Sequence, residues 1–331
     1  MSKKSKKILV TGGAGFIGSN FILYMLKKYP SYQIVNLDKL TYAGNIANLA
    51  LLKNEPRYKF IKGDICAYKT VKEAICGCNW VVNFAAESHV DRSINGPAIF
   101  IKTNIVGTQI LLDVAKKENI ERFHHISTDE VFGALPLNCK VKFCENTCYN
   151  PRSPYSASKA SSDHLVRAYF ETYQLSVSIS NCSNNYGPYQ FPEKIIPLFI
   201  TNALQNIPLP IYGRGRAVRD YLYVADHCRA IDLILHRGEV GETYCIGGDA
   251  EKNGIEIANT ILGQLKKPLS LKTFVADRPG HDMHYAINHN KITTELKWQP
   301  KVSFGDGISR TIEWYRKNQH WWRKLVKNNF N

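Results

Sequence analysis

Tyr155 and Lys159, in the segment YSASK, are four residues apart, so on a helix their side chains share one face. A tyrosine has a pKa of ~10 and is a poor base at neutral pH, but an ammonium group beside it favours the phenolate. The pair predicts a proton acceptor for a substrate hydroxyl. Taken alone, it also suits an aromatic helix N-terminus packed on a core, with a solvated lysine. A second group, Ser127, Thr128, Asp129 and Glu130, sets two carboxyls side by side. Serine, threonine and aspartate are equally favoured in turns and helix caps, so this run has a chemical and a structural reading.

A stretch near the N-terminus decides how both groups are read. Ile8, Leu9 and Val10 form a short apolar run without polar alternation, as in a parallel strand buried on both faces. Gly12, Gly15 and Gly18 follow, with Phe16 and Ile17 among them. Such a turn allows a tight bend, close approach of backbone N–H groups to a pyrophosphate, and close packing of the next helix. Phosphates then sit at a helix N-terminus, where unpaired amides and the helix dipole favour negative charge. The next strand ends at Asp38, 20 positions past Gly18, the spacing at which a carboxylate meets an adenosine ribose. Asp38 would bind the ribose hydroxyls and repel a 2′-phosphate, which favours NAD; Lys39 beside it keeps NADP open. With a nicotinamide present, its positive charge assists Lys159 in favouring the Tyr155 phenolate, and hydride leaves the carbon whose hydroxyl gives up its proton. Lys159 also holds the nicotinamide ribose.

The elements between these groups alternate. Thr41 to Asn45 reads as a loop curling over the adenosine, and Tyr58 to Ile61 as a third strand closing on Asp64 and Ile65, with Asp64 in reach of the adenine amine. Trp80 to Phe84 is the fourth strand, and the small Ala85 and Ala86 at its carboxyl end leave room for a cofactor. A long helix runs from Pro97 through Ala115, the fifth strand covers Arg122 to Ser127, and a helix spans Tyr155 to about Tyr173. Five such alternations predict an α/β fold, a doubly wound parallel (Rossmann) sheet. From Asn181 prolines punctuate the chain and elements shorten. Residues 1–180 are therefore expected to form the NAD-binding domain and 181–331 mostly a smaller C-terminal substrate-binding lobe, with 219–235 a candidate to return to the sheet.

A chain of 331 residues can bury a large core. No run of apolar residues approaches a membrane span, and the N-terminal MSKKSKK precedes too short an apolar run for a secretion signal. Nine cysteines without a C-x-x-C pair indicate reduced thiols, a cytoplasmic setting and no metal site. The net charge of +15 gathers partly in the C-terminal WYRKNQHWWRKLVKNN, which mixes basic and aromatic residues. An amphipathic helix packing Trp314 and Trp321 or Trp322 inward is preferred there over a nucleic-acid patch. A basic surface also suits a substrate and a cofactor that both carry pyrophosphate.

Gly12 to Gly18, LDKLTYAGN, NFAAESHVDRS, STDEVFG, SPYSASKA, SNNYGPYQFPEK, RDYLYVADHCRA and DRPGHD together resemble the nucleotide-sugar 4,6-dehydratases of the extended short-chain dehydrogenase superfamily, over nearly the whole chain. The resemblance implies oxidation of a nucleoside-diphosphate glucose at carbon 4, loss of water across carbons 5 and 6, and hydride return to carbon 6. It makes Glu130 the base at carbon 5 and Asp129, protonated, the acid at oxygen 6, with Thr128 on oxygen 4 assisting Tyr155. Related 4-epimerases, the runner-up reading, carry small or polar residues at those two carboxyl positions. The resemblance further implies cofactor contacts at Lys39, Thr41, Ile65, Ser88, Thr103 and Asn185. For sugar, pyrophosphate or base it implies Ser88, Asn184, Lys194, Pro210, Ile211, Tyr212, Arg219, Arg278 and His281. The two arginines make independent sense as phosphate clamps; as surface salt bridges they would be equally ordinary.

Several positions depart from the family pattern. Cys245 stands where asparagine is usual, Asn253 lies one place early with Gly254 after it, and His284 and Asn288 replace Arg and Asp. All are expected in the nucleotide-side lobe, which leaves dTDP-glucose and UDP-glucose both open. A homodimer through helices 97–117 and 155–173 is also implied. A catalytically idle NAD-binding protein and a nucleic-acid-associated protein are the remaining readings, the first disfavoured by Tyr155, Lys159 and both carboxyls.

Overall fold

The computed structural model describes residues 5–137, 139–277 and 281–327. Strands β1 (Lys7–Thr11), β2 (Gln33–Asp38), β3 (Tyr58–Lys62), β4 (Trp80–Asn83), β5 (Arg122–Thr128) and β6 (Val177–Cys182) build the expected sheet. The strands β7 (Asn184–Tyr186), β8 (Leu209–Tyr212) and β9 (Val218–Tyr223) lie outside it; β10 (Thr243–Ile246) returns to it, and β11 (Glu251–Asn253) and β12 (Lys272–Val275) are again outside. The seven-stranded order is β3-β2-β1-β4-β5-β6-β10, with every pairing parallel. Strand order reverses between β1 and β4, so the carboxyl ends of these strands open a crevice there.

Side-chain alternation along the strands divides the core into two layers. Leu9, Val35, Val81, Phe123 and Val177 pack against helices Tyr68–Ile75, Thr108–Lys117 and Pro154–Tyr173. On the other face, Ile8, Val10, Ile34, Val82 and Ile126 meet helices Phe16–Lys28 and Val224–Arg237. The latter two helices are joined by the Asp232 carboxyl, which accepts from the hydroxyls of Tyr24 and Tyr29 at 2.8 Å each and from Lys28.

The expected division near residue 180 falls within β6. β6 runs to Cys182, β9 joins β7 and β11 in a separate three-stranded sheet, and the part of 219–235 that returns is the helix, not the strand. β10 then pairs with β6, whose outer edge would otherwise present unpaired backbone groups.

The long helix from Pro97 is interrupted: Ala98–Phe100 is followed by a π-helical turn, Ile101–Gly107, before Thr108–Lys117. Against the sequence expectation, residues 98–117 are long and apolar enough to match a membrane span by length and composition. Leu111, Leu112, Val114 and Ala115 of this stretch are buried on the sheet. The lobe has its own core, including Tyr186, Phe199, Ile211, Ile257, Tyr315 and Trp322. The C-terminal helices Phe304–Lys317 and Gln319–Lys327 turn Trp321 and Trp322 into that core, as the amphipathic reading expects. All nine cysteines are free thiols.

Candidate active site

The glycine turn is shaped for close contact. Gly12 adopts φ +67°, and a Cβ there would lie 2.7 Å from the Ala85 nitrogen; a Cβ on Gly18 would lie 2.5 Å from the Gly12 carbonyl oxygen. The helix Phe16–Lys28 that follows has no side-chain cap at Gly15 and no acidic residue in its first turn. Its leading N–H groups and dipole are left for an anion, as a dinucleotide pyrophosphate requires. Asp38 braces the turn, accepting from the Ala14 N–H at 2.9 Å and the Leu40 N–H at 2.7 Å. Burial raises the pKa of Asp38, with those two backbone donors acting the other way. Lys39, whose charge left NADP open, pairs with Asp64 at 2.8 Å. The residues present thus fit NAD.

One cleft at the switch point gathers the expected cofactor residues. Gly12, Gly15, Phe16, Ile17, Gly18, Asp38, Lys39, Thr41, Asp64, Ile65, Ala85, Ala86, Ser88, Thr103, Tyr155, Lys159 and Asn185 all line it, as do Thr128, Asp129, Glu130, Asn184 and Lys194. Lys194, from the lobe side, donates to the Ser88 carbonyl at 3.2 Å and so ties two expected substrate residues together. The sequence reading missed Glu87, Cys182, Gln190, Phe191 and Glu193, which also line the cleft. Gln190, Phe191 and Glu193 flank Lys194 in PYQFPEK, so their nearness in sequence was the available signal.

Tyr155 is placed by a well-made helix start. Ser153 caps the helix through the Ser156 N–H at 3.0 Å, and Pro154 occupies the first helical position. The tyrosine is nearly buried, and its pKa stands well above the usual value because of burial first and the Glu130 charge second; the Thr128 hydroxyl acts in the opposite direction. Lys159 Nζ donates to the Ile126 carbonyl at 2.7 Å and lies 3.3 Å from His125 Nε2. Burial lowers the Lys159 pKa, with the Asp163 charge opposing the shift.

The two carboxyls differ in setting, which is what an acid and a base need. Asp129 is 2% exposed, and its pKa is raised well above the carboxylate range by burial, then by the charges of Glu130 and Asp220. Burial thus disfavours its charged form, as a proton donor needs. Thr128 Oγ1 lies 3.2 Å from Asp129 Oδ1 and also accepts from the Glu130 N–H at 3.2 Å. Asp129 Oδ2 has no hydrogen-bond partner among the described residues. Glu130 is only partly buried and opens on the same cleft.

The remaining expected substrate residues that are described do not line this cleft. Arg219 is 8% exposed, donates to the carbonyls of Val218 at 2.8 Å and Asp282 at 2.7 Å, and lies over the Tyr285 ring at 4.2 Å. Pro210, Ile211 and Tyr212 form β8; the Ile211 side chain is buried in the lobe core and the Tyr212 side chain is exposed. His281 Nδ1 pairs with Asp277 at 2.6 Å, and Arg278 lies outside the described residues. Two of the departures from the family pattern have structural duties. Cys245 is on β10 of the main sheet, not in the lobe, fully buried against Phe132 and Phe143. Asn253 caps helix Gly254–Leu265, accepting from the Glu256 N–H at 2.9 Å.

Comparison with known proteins agrees with this arrangement. A family model described as GDP-mannose 4,6 dehydratase matches residues 9–311. The dTDP-glucose 4,6-dehydratase of Salmonella typhimurium is 51% identical over 340 aligned positions, covering 95% of this chain and 94% of the relative. The solved dTDP-glucose 4,6-dehydratase of Streptomyces venezuelae, with NAD bound, superposes with a TM-score of 0.94 at 48% identity, covering 96% of this chain and 99% of that one. A UDP-glucose 4-epimerase from Thermotoga maritima is more distant, at 28% identity and a TM-score of 0.87 over 95% of this chain and 99% of the other. The chain belongs to the nucleotide-sugar 4,6-dehydratase family, alongside the dTDP-glucose 4,6-dehydratases.

Proposed function

We propose that the protein dehydrates dTDP-glucose to the 4-keto-6-deoxy sugar nucleotide. The observation that carries this reading is the pair of carboxyls on one cleft, Asp129 buried and Glu130 only partly buried. A 4-epimerase has no use for an acid and a base side by side. Bound NAD supplies the hydride acceptor and, later in the cycle, the hydride donor. Tyr155 takes the proton of the 4-hydroxyl, with Thr128 holding oxygen 4. Glu130 removes the proton on carbon 5, which the neighbouring ketone acidifies. Asp129 gives its proton to the departing 6-hydroxyl, so one water leaves. Lys159 orients the nicotinamide ribose. Lys194 and Asn184 meet the substrate from the lobe, and Arg219 and His281 serve the diphosphate or base on the outer wall.

The relatives favour dTDP over UDP as the nucleotide. Incubation with dTDP-glucose and, separately, UDP-glucose, followed by sugar-nucleotide mass, tests the reading. Loss of one water from dTDP-glucose at the higher rate is expected. Isomerisation without mass change would indicate an epimerase instead.

The proposal extends to assembly. Ile94, Ile99, Ile101 and Val106 are exposed on the helices at 90–107, and such an apolar face fits the two-fold interface of a homodimer. A single-subunit mass in solution would refute it. Free thiols throughout support a reducing, cytoplasmic setting.

A further inference from the structure

The C-terminal helices are hydrogen-bonded to segments on both sides of the cleft, the turn at Asn48 and the lobe residue Gln190. Trp321, 7% exposed, donates its indole N–H to Asn48 Oδ1 at 2.8 Å. Asn48, 1% exposed in the turn Ile46–Leu52, donates its amide to the Ala14 carbonyl at 2.9 Å. Ala14 is in the middle of the glycine turn, and its own N–H donates to Asp38 at 2.9 Å. A continuous run of hydrogen bonds thus links residue 321 to the pyrophosphate turn and the ribose carboxylate. Tyr315, fully buried beside Trp321, donates to the carbonyl of Gln190, which lines the cleft from the lobe. Trp314 closes the aromatic group, its ring 5.0 Å from Trp321 and 4.8 Å from Tyr189.

An amide side chain is nearly symmetric in shape, so the donors and acceptors around it decide which way it faces. At Asn48 the indole N–H claims the oxygen and leaves the NH₂ for Ala14. We infer that Trp321 is a positioning residue for the cofactor. By orienting Asn48 it holds the glycine turn in its phosphate-binding shape and slows cofactor release. The inference rests on the proposed NAD-dependent reaction, which regenerates NAD at every turnover and gains from keeping it bound. Packing alone does not require the nitrogen: a phenyl ring would fill most of the same space.

The test is the rate at which purified, NAD-loaded protein releases NAD, followed by rapid gel filtration. Trp321→Phe removes the donor and keeps most of the ring contacts. Trp322→Phe is the matched control, because Trp322 is fully buried in the same core and donates to the Tyr315 carbonyl at 2.8 Å, within the C-terminal helices. W321F is expected to release NAD roughly tenfold faster than the unmodified protein, the scale of one buried hydrogen bond with a stranded partner, while W322F keeps the original rate. Equal release from all three, or equal acceleration in both variants, overturns the inference. If W321F does not fold, Asn48→Ser breaks the same run at its next member and is expected to accelerate release alike. An unmodified protein that binds no NAD overturns the proposed reaction itself, an outcome distinct from NAD bound with equal release rates.

Discussion

Replacing Tyr155 by phenylalanine is expected to lower turnover of dTDP-glucose by about 100- to 10,000-fold, the usual worth of one positioned proton transfer. The phenol is nearly buried beside Thr128 and Glu130, and phenylalanine keeps its packing against Phe100, whose ring centre is 6.3 Å away. Only the hydroxyl is lost. Because that hydroxyl is proposed to act at the first step, the variant should bind substrate and show no NADH absorbance in a single turnover. A variant that turns over normally, or one that accumulates NADH, would remove Tyr155 from the oxidation step.

Glu130→Gln should give a loss of similar size with the opposite signature. Its proposed work begins after carbon 4 has been oxidised, so the variant should form NADH and the 4-keto sugar nucleotide and then stall before water is lost. Single-turnover absorbance at the NADH band, paired with product mass, separates the two variants. Glutamine keeps the shape of the side chain and cannot accept the carbon 5 proton. The charge at position 130 also raises the pKa values of both Asp129 and Tyr155. Its removal should therefore ease formation of the Tyr155 phenolate, which leaves oxidation intact or faster. Full dehydration by the variant would refute the base role.

The parts of the site legible in the sequence are those set by local geometry. The glycine turn, Asp38 at the next strand's end and the Tyr155–Lys159 helix face each lie within a short stretch, where spacing alone dictates neighbours. All of them came together in one cleft. What escaped the reading depends on contacts between distant segments. Nothing near Lys159 in sequence shows that its ammonium will settle on the Ile126 carbonyl, or that Arg219 will be held by Asp282 and Tyr285. The seventh strand was missed for the same reason: Thr243–Ile246 is a four-residue run that makes sense only beside β6. The π-helical turn at Ile101–Gly107 likewise carries no proline or other local mark; its Asn104 is tied to the Glu87 backbone and to Ser158.

The late return of β10 bears on how the protein is made. A ribosome delivers the first six strands of the sheet long before residue 243 emerges. Until then β6 is an open edge of buried-type residues, the kind of template that invites pairing with another nascent chain. The lobe cannot be finished first and docked later, because the chain must pass through β7 to β9 and then come back to seal the sheet. Chaperone occupancy during synthesis should therefore persist until the stretch ending at Ile246 has cleared the exit tunnel.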